Sequence, residues 1–304
     1  MQINAANLKT LNIAFNAAFK DGQGQAASLY TQLATVVPST TGAEEYAWLG
    51  QMPNMREWIG DRVVHGIAAH GYTIKNKPFE LTIAVPRAAI EDDRYGVYSP
   101  MFTEMGRAVE AHPDQLIFDL LKDGDAELCY DGTPFFSAAH PVLNRSGKAG
   151  VQSNVLDTSS SPGPRWFVLD TSRALKPLIY QNRKAPNFVA KDKETDDNVF
   201  DRAEFRYGTD RRGNAGFGFW QMAQSSNKPL TEASLAEAIT AMTARTGDHG
   251  RALGIMGTTL VVPPALEFKA RELLTNDLVA VDGGGTKNNP LKGRLQLMVA
   301  PLLT

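Results

Sequence analysis

Residues 99–124, SPMFTEMGRAVEAHPDQLIFDLLKDG, carry the longest helical pattern in the chain. Met101, Met105, Ala108, Val109, Leu116, Ile117, Leu120 and Leu121 recur at three- and four-residue spacing and paint one apolar stripe. Ser99 is placed to cap the helix, Pro100 sits where a missing N–H costs nothing, and Gly124 suits a left-handed stop beyond Lys122. About 24 residues at 1.5 Å each make a rod of roughly 36 Å, enough to cross a whole domain. Pro113 falls inside it and predicts a kink near residues 111–112 or a junction of two helices.

The segments around this rod read as things laid against it. Residues 4–20 put Leu8, Leu11, Phe15, Ala18 and Phe19 on one helical face, with Asn4 as cap and Gly22 or Gly24 as stop. That face packs either on its own domain or on a neighbour. Residues 25–60 show no sustained period but hold Tyr30, Tyr46, Trp48 and Trp58, as in an extended arm with a short helix. Phe79, Leu81, Ile83 and Val85 alternate with polar residues, which predicts a two-faced strand in a long hairpin reaching away from the body.

Downstream, 166–170 and 177–181 read as strands, and 204–221 (EFRYGTDRRGNAGFGFWQ) as a hairpin turning at 210–214. Thr231 caps a helix over 230–246 striped by Leu235, Ile239 and Met242. Residues 254–262 form a buried strand, Pro263 and Pro264 end it and open a helix over 265–274, 282–286 is a loop, and 294–303 a last strand. Strands and helices partly segregate, which gives an α+β fold class.

With 304 residues, a net charge of −2 and 43% hydrophobic residues, the chain can bury a full core and has no polybasic signature for reading duplex DNA. The single cysteine, Cys129, excludes a disulfide framework within the chain and fits a reducing compartment. No apolar run is long enough to span a membrane, and the first residues lack an export leader. Asp131, Ser137 and His140 tempt a hydrolase assignment, but three such residues within ten positions of a turn-rich loop occur often by chance. Cys129 with His140, or His65 with His70, offers metal ligands without a second pair at zinc spacing. The acidic clusters at 91–93 and 119–125 lack an EF-hand pattern, and the glycines at 283–285 lack a phosphate-loop pattern. No catalytic, cofactor-binding or metal site is therefore expected. Arg211 and Arg212 read as a solvated tip or an ion pair to another subunit.

Eight stretches in combination carry a resemblance: WLG at 48–50, MREWIGDR at 55–62, YTIKNKPFE at 72–80, IEDD at 90–93, CYDGTPFF at 129–136 with HP at 140–141, LDTS at 169–172, YG at 207–208 through WQ at 220–221, and LVVPPALE at 260–267. The chain resembles the Mu-like phage major head subunits (gene product T family), which have the Hong Kong 97-type capsid fold. The resemblance implies an N-terminal arm over 1–55, an E-loop hairpin over 56–86, a P-domain over 87–224 built on the spine helix 99–123, with or without part of the A-domain in it, and an A-domain over 225–304. It implies pentamers and hexamers of an icosahedral shell around double-stranded DNA held without sequence reading. Lys9 and Lys20 are candidates to face that DNA. It also implies scaffold and portal proteins during assembly, a possible decoration protein, and a place in the virion after assembly in the host bacterial cytoplasm. Leu8, Phe15, Phe19, Trp48, Trp58, Phe79, Leu81, Arg211 and Arg212 are the candidate intersubunit contacts.

One segment is out of the expected order: the LVVPP run follows the Trp166 strand by about ninety residues, whereas the resemblance places it before. A circular shift, with Thr304 near residues 161–166, is the expectation that explains it. No trimmed N-terminal segment is expected either, which an intact-mass measurement on assembled particles checks. Two rivals share parts of this reading. An encapsulin-like compartment holds protein cargo instead of nucleic acid, and a soluble hydrolase using Ser137 and His140 runs as a small oligomer.

Overall fold

The computed structural model describes residues 3–47, 49, 71–92, 95–158, 160–280 and 285–303. Its helices are α1 (Ala5–Gln25), α2 (Tyr30–Leu33), α3 (Arg87–Glu91), α4 (Ser99–Lys122), α5 (Asp197–Arg202), α6 (Glu232–Thr243) and α7 (Glu267–Thr275). The strands of the first half are β1 (Ala34–Pro38), β2 (Ala43–Glu45), β3 (Thr73–Lys75), β4 (Lys77–Pro86), β5 (His140–Leu143), β6 (Ala149–Gln152), β7 (Trp166–Leu169) and β8 (Leu178–Lys191). Those of the second are β9 (Glu204–Phe217), β10 (Ala223–Ser226), β11 (Thr246–Gly247), β12 (Arg251–Ala252), β13 (Thr259–Val262), β14 (Leu278–Ala280), β15 (Thr286–Asn288) and β16 (Gln296–Val299).

α4 is one helix of 24 residues with Pro113 inside it, not two meeting there. Its buried face is turned from the expected one. Phe102, Met105, Gly106, Val109, Pro113, Ile117, Phe118 and Leu121 are buried, whereas Met101 is 49% exposed and Ala108 is exposed. The rings of Phe102 and Phe118 claim the core because they remove more apolar surface from water than a methionine at the helix start. Tyr98 holds the cap position without a side-chain bond, so Ser99 is not the cap. Nor does Gly124 take a left-handed form. It is glycine because a Cβ there would meet the Phe136 ring at 2.6 Å.

Asn4 caps α1 as read, its side chain accepting from the Asn7 N–H at 2.9 Å. The helix continues through Gly22 and Gly24 to Gln25. Gly22 is a crossing point instead of a stop: a Cβ on it would lie 1.8 Å from the Thr103 carbonyl oxygen, and one on Gly106 would lie 1.9 Å from the Phe19 carbonyl oxygen. Two bare glycines thus let the backbones of α1 and α4 touch. Leu8, Leu11, Phe15 and Phe19 pack there with Phe102, Met105, Val109, Phe205 and Tyr207, and Phe15 stacks on Phe102 with ring centroids 4.1 Å apart. Leu8, Phe15 and Phe19 are therefore core residues of this chain, which corrects their assignment as contacts to a neighbour. An α1 bound only to another subunit would have left the same apolar face of α4 in water.

The first sheet runs β1-β8-β9-β4. β9 is a single strand of 14 residues paired with β4 on one side and β8 on the other, so the hairpin expected over 204–221 does not form. The polar run that suggested a turn is an alternation: residues 205, 207, 209 and 211 point to the helices while 204, 206, 210 and 212 line the outer face. β4 pairs along its whole length with β9, and β3 pairs with β2. The strand expected to reach away from the body is thus an edge of the body sheet. Residues 56–70 of that expected hairpin, with Trp58, and residues 48 and 50–55 of the expected arm, with Trp48, lie outside the described residues.

The second sheet runs β10-β7-β13-β16. Its strands β10, β7 and β13 are buried on both faces, with β16 half-buried at the edge, and Trp166, Trp220, Leu235, Met242 and Leu273 help to fill the core around them. α6 starts at the Thr231 cap, reciprocated by Ser234. β13 stops at the two prolines, as read. Because β7 and β10 belong to this sheet, a boundary at 224/225 cuts through it.

A side chain from α4 also fixes the arm. The buried Asp114 carboxylate accepts from the Leu29 N–H at 2.9 Å, the Tyr30 N–H at 2.6 Å and the Ser28 hydroxyl at 3.2 Å, capping α2 from another helix. Asp114→Ala should lower stability to chemical denaturation by about 2 kcal/mol, since the cap is lost and buried amides lose their acceptor. A loss below about 0.5 kcal/mol would mean water replaces the carboxylate.

Candidate functional site

Of the residues that suggested hydrolysis, Asp131 and Ser137 lie in the loop between α4 and β5, and His140 opens β5. Asp131 and His140 do meet: Nδ1 is 2.7 Å from the Asp131 carboxylate, while Nε2 faces the Phe135 carbonyl oxygen at 3.2 Å. The imidazole stacks on the Trp220 indole at 3.9 Å and is fully buried. Burial opposes ionisation of Asp131, but hydrogen bonds from His140, Cys129 and Thr133 outweigh it and pull the carboxyl down to about 2. Ser137 takes no part. Its hydroxyl accepts from the Ala139 N–H, and both imidazole nitrogens face other partners. A nucleophile that cannot reach its base gives no acyl transfer.

The arginine read as a solvated tip is buried in the seam between α4 and β9. Pro113 has no N–H to give the Val109 carbonyl, its partner four residues earlier, and its ring pushes that carbonyl off the helix ladder. Arg211 fills the gap, donating to the Val109 carbonyl oxygen at 2.7 Å and to the Tyr180 hydroxyl at 2.7 Å. The assignment of Arg211 as an intersubunit contact is corrected on that ground. Arg212, one residue on, lies half-buried on the opposite face of the sheet. Burial raises the Glu110 carboxyl and the nearby Arg211 charge opposes that rise.

Beside this seam an apolar cavity of about 380 Å³ is lined by Phe79, Leu81, Ala108, His112 and Leu302, among others. Phe79 packs on His112 with ring centroids 4.2 Å apart, and Leu81 is 37% exposed at the opening. Other large side chains lie bare on the surface. Phe200 on α5 is 86% exposed and Phe268 on α7 is 83% exposed. Neither stood out in the sequence, because each interrupts a helical stripe instead of joining it. Arg245 went unread too. It is buried with its guanidinium on the carbonyls of Gln221 and Ala223 and over the Trp220 ring, and burial lowers it to about 9. Among the described residues no helix is long and apolar enough to cross a membrane.

Exposed aromatics and an apolar groove are features suited to packing against other chains. A family model described as Mu-like prophage major head subunit gpT matches residues 8–303. The chain is 43% identical to the major capsid protein of Escherichia phage Mu over 100% of both chains. Among solved structures, a chain from the procapsid of bacteriophage JBD30 superposes with a TM-score of 0.86 and 45% identity, over 99% of this chain and 100% of that one. A chain from the JBD30 capsid decorated with minor capsid protein trimers superposes with a TM-score of 0.76 and 34% identity, over 93% of each. The match to the phage Mu protein runs in one order along both chains, which overturns the expected circular shift. The LVVPP run comes after the Trp166 strand in sequence but beside it in space, since β13 pairs with β7.

Proposed function

The chain belongs to the family of Mu-like prophage major head subunits, a family of structural shell proteins and not enzymes, and from that premise we propose how it builds a phage head. Copies of it form pentamers and hexamers that close an icosahedral shell around double-stranded DNA, assembled in the host bacterial cytoplasm. The likeness along the full chain to the JBD30 procapsid subunit carries this reading. A scaffold and a portal act during assembly. Minor capsid proteins dock afterwards, in keeping with the trimers named in the decorated JBD30 capsid.

The parts divide by what they pack on. Residues 1–55 are an arm whose first helix is anchored on its own spine, and 56–86 form the E-loop, rooted in the body by β4. The P-domain is α4 with β8 and β9 of the first sheet, to which the arm adds β1 and the E-loop β4. The A-domain is the second sheet with α6 and α7, which takes in β7. The shell contacts come from Phe200 and Phe268, which this chain leaves bare, and from the groove edge formed by Leu81 and the half-buried Phe79.

Negative-stain microscopy of the wild type beside a Phe200→Ser/Phe268→Ser variant tests this. The wild type should give closed shells. The variant should keep its stability within about 0.5 kcal/mol, as surface changes do, and lose most shells. Normal shells from the variant would remove these two residues from the contacts, and protein cargo in place of nucleic acid inside phage-derived particles would favour a cellular compartment.

A further inference from the structure

We propose that Cys129, Asp131 and His140 form a structural site for a divalent cation of the zinc class. The Cys129 Sγ, an Asp131 carboxylate oxygen and a His140 ring nitrogen all lie within 4.8 Å of one another. Sγ is 3.1 Å from Oδ1, and Nδ1 is 2.7 Å from Oδ2. The Thr133 hydroxyl joins them, 2.7 Å from Oδ1 and 2.9 Å from Nδ1, and offers a fourth oxygen. Thiolate, imidazole and carboxylate together suit a tetrahedral zinc, whose bonds of about 2.0–2.3 Å set ligand atoms roughly 3.3–3.7 Å apart. The cluster needs shifts of under about 1 Å to reach that spacing.

The surroundings fit a ligand set. Nε2 lies 3.2 Å from the Phe135 carbonyl oxygen, so the ring can donate there when a cation takes the place of the Nδ1 proton, the usual support of a metal-bound histidine. Without the cation, an Nδ1 proton bridges to Oδ2 at 2.7 Å and the Cys129 thiol donates to Oδ1 at 3.1 Å. A proton serves one such pair; a divalent ion serves Nδ1, the carboxylate and Sγ at once. The chain needs a fastener here, too. Residues 124–139 contain no helix or strand, yet they carry Phe135 and Phe136 into the main core. A metal bound on folding stabilises such a loop as a disulfide does elsewhere, without an oxidising compartment. Of these three, the sequence spacing paired Cys129 with His140, and Asp131 supplies the third ligand.

Metal analysis of the purified full-length chain, with cobalt(II) replacement, tests the site. About one zinc per chain is expected, together with a near-ultraviolet thiolate-to-cobalt charge-transfer band and a lower melting temperature under chelator. Cys129→Ser should lose the band, and Asp131→Asn should weaken metal retention at least tenfold. The wild-type measurements decide the matter even where a variant fails to fold. A metal-free wild type that shows no such band with stoichiometric cobalt and melts identically with chelator would overturn the proposal, leaving a knot held by protons alone.

Discussion

Arg211→Met will lower the stability of the unassembled chain by about 2–5 kcal/mol, because it strands the buried Val109 carbonyl and Tyr180 hydroxyl, each at about 1–3 kcal/mol. Methionine keeps the packing of the arginine stem, so the loss reports the hydrogen bonds. The sharper test is a cycle with Pro113→Ala, which returns an N–H to the Val109 carbonyl. In the Arg211→Met background this second change should recover about 1–3 kcal/mol more than it gives in the wild type. Additivity within about 0.5 kcal/mol would show that the arginine does not compensate for the proline. Denaturant midpoints of the four proteins, compared at equal slope, give the answer.

The second large effect comes from the crossing of α1 and α4. Alanine in place of glycine inside a helix is worth about 1 kcal/mol in propensity, so two helical glycines with different surroundings make a controlled pair. Gly24 of α1 has open space where its Cβ would go, and Gly24→Ala should stabilise by about 0.5–1 kcal/mol. Gly106 has the Phe19 carbonyl oxygen at 1.9 Å from that position. Gly106→Ala should therefore force the helices apart and cost about 2 kcal/mol or more despite the same gain in propensity. Equal effects at the two positions would mean that the helices do not touch there.

Much of the local structure was legible from residues 99–124 outward, for physical reasons that also mark where legibility ended. Caps and stripes act over a few residues, so α1 with its Asn4 cap, α4, and α6 from Thr231 were all readable. Partners act across the chain. Arg211 sits 102 residues from the Val109 carbonyl it serves, and its neighbours Asp210, Arg212 and Asn214 look like a turn to any local reading. The clue lay elsewhere: Pro113 in mid-helix announces an acceptor without a donor, and a buried cation is one way to supply it. Asp114 and its bonds to residues 28–30 escaped for the same reason of distance. The candidate site divided likewise. Asp131, Ser137 and His140 are close in sequence, but that Asp131 meets His140 while Ser137 bonds to Ala139 depends on the path of the loop. The sequence could not separate core aromatics such as Phe15 and Phe19 from exposed ones such as Phe200, because the choice depends on whether α1 finds its groove on α4 or on another subunit.

In the proposed shell the subunit folds on its own spine, and its bare apolar groups meet its neighbours. Cryo-electron microscopy of particles formed by the purified chain tests that directly. The prediction is a closed shell of one diameter in which each subunit's α1 lies on its own α4 while Phe200 and Phe268 are covered by adjoining subunits. Particles in which α1 crosses to a neighbour's spine, or a chain that stays monomeric at every concentration with those phenylalanines bare, would contradict it.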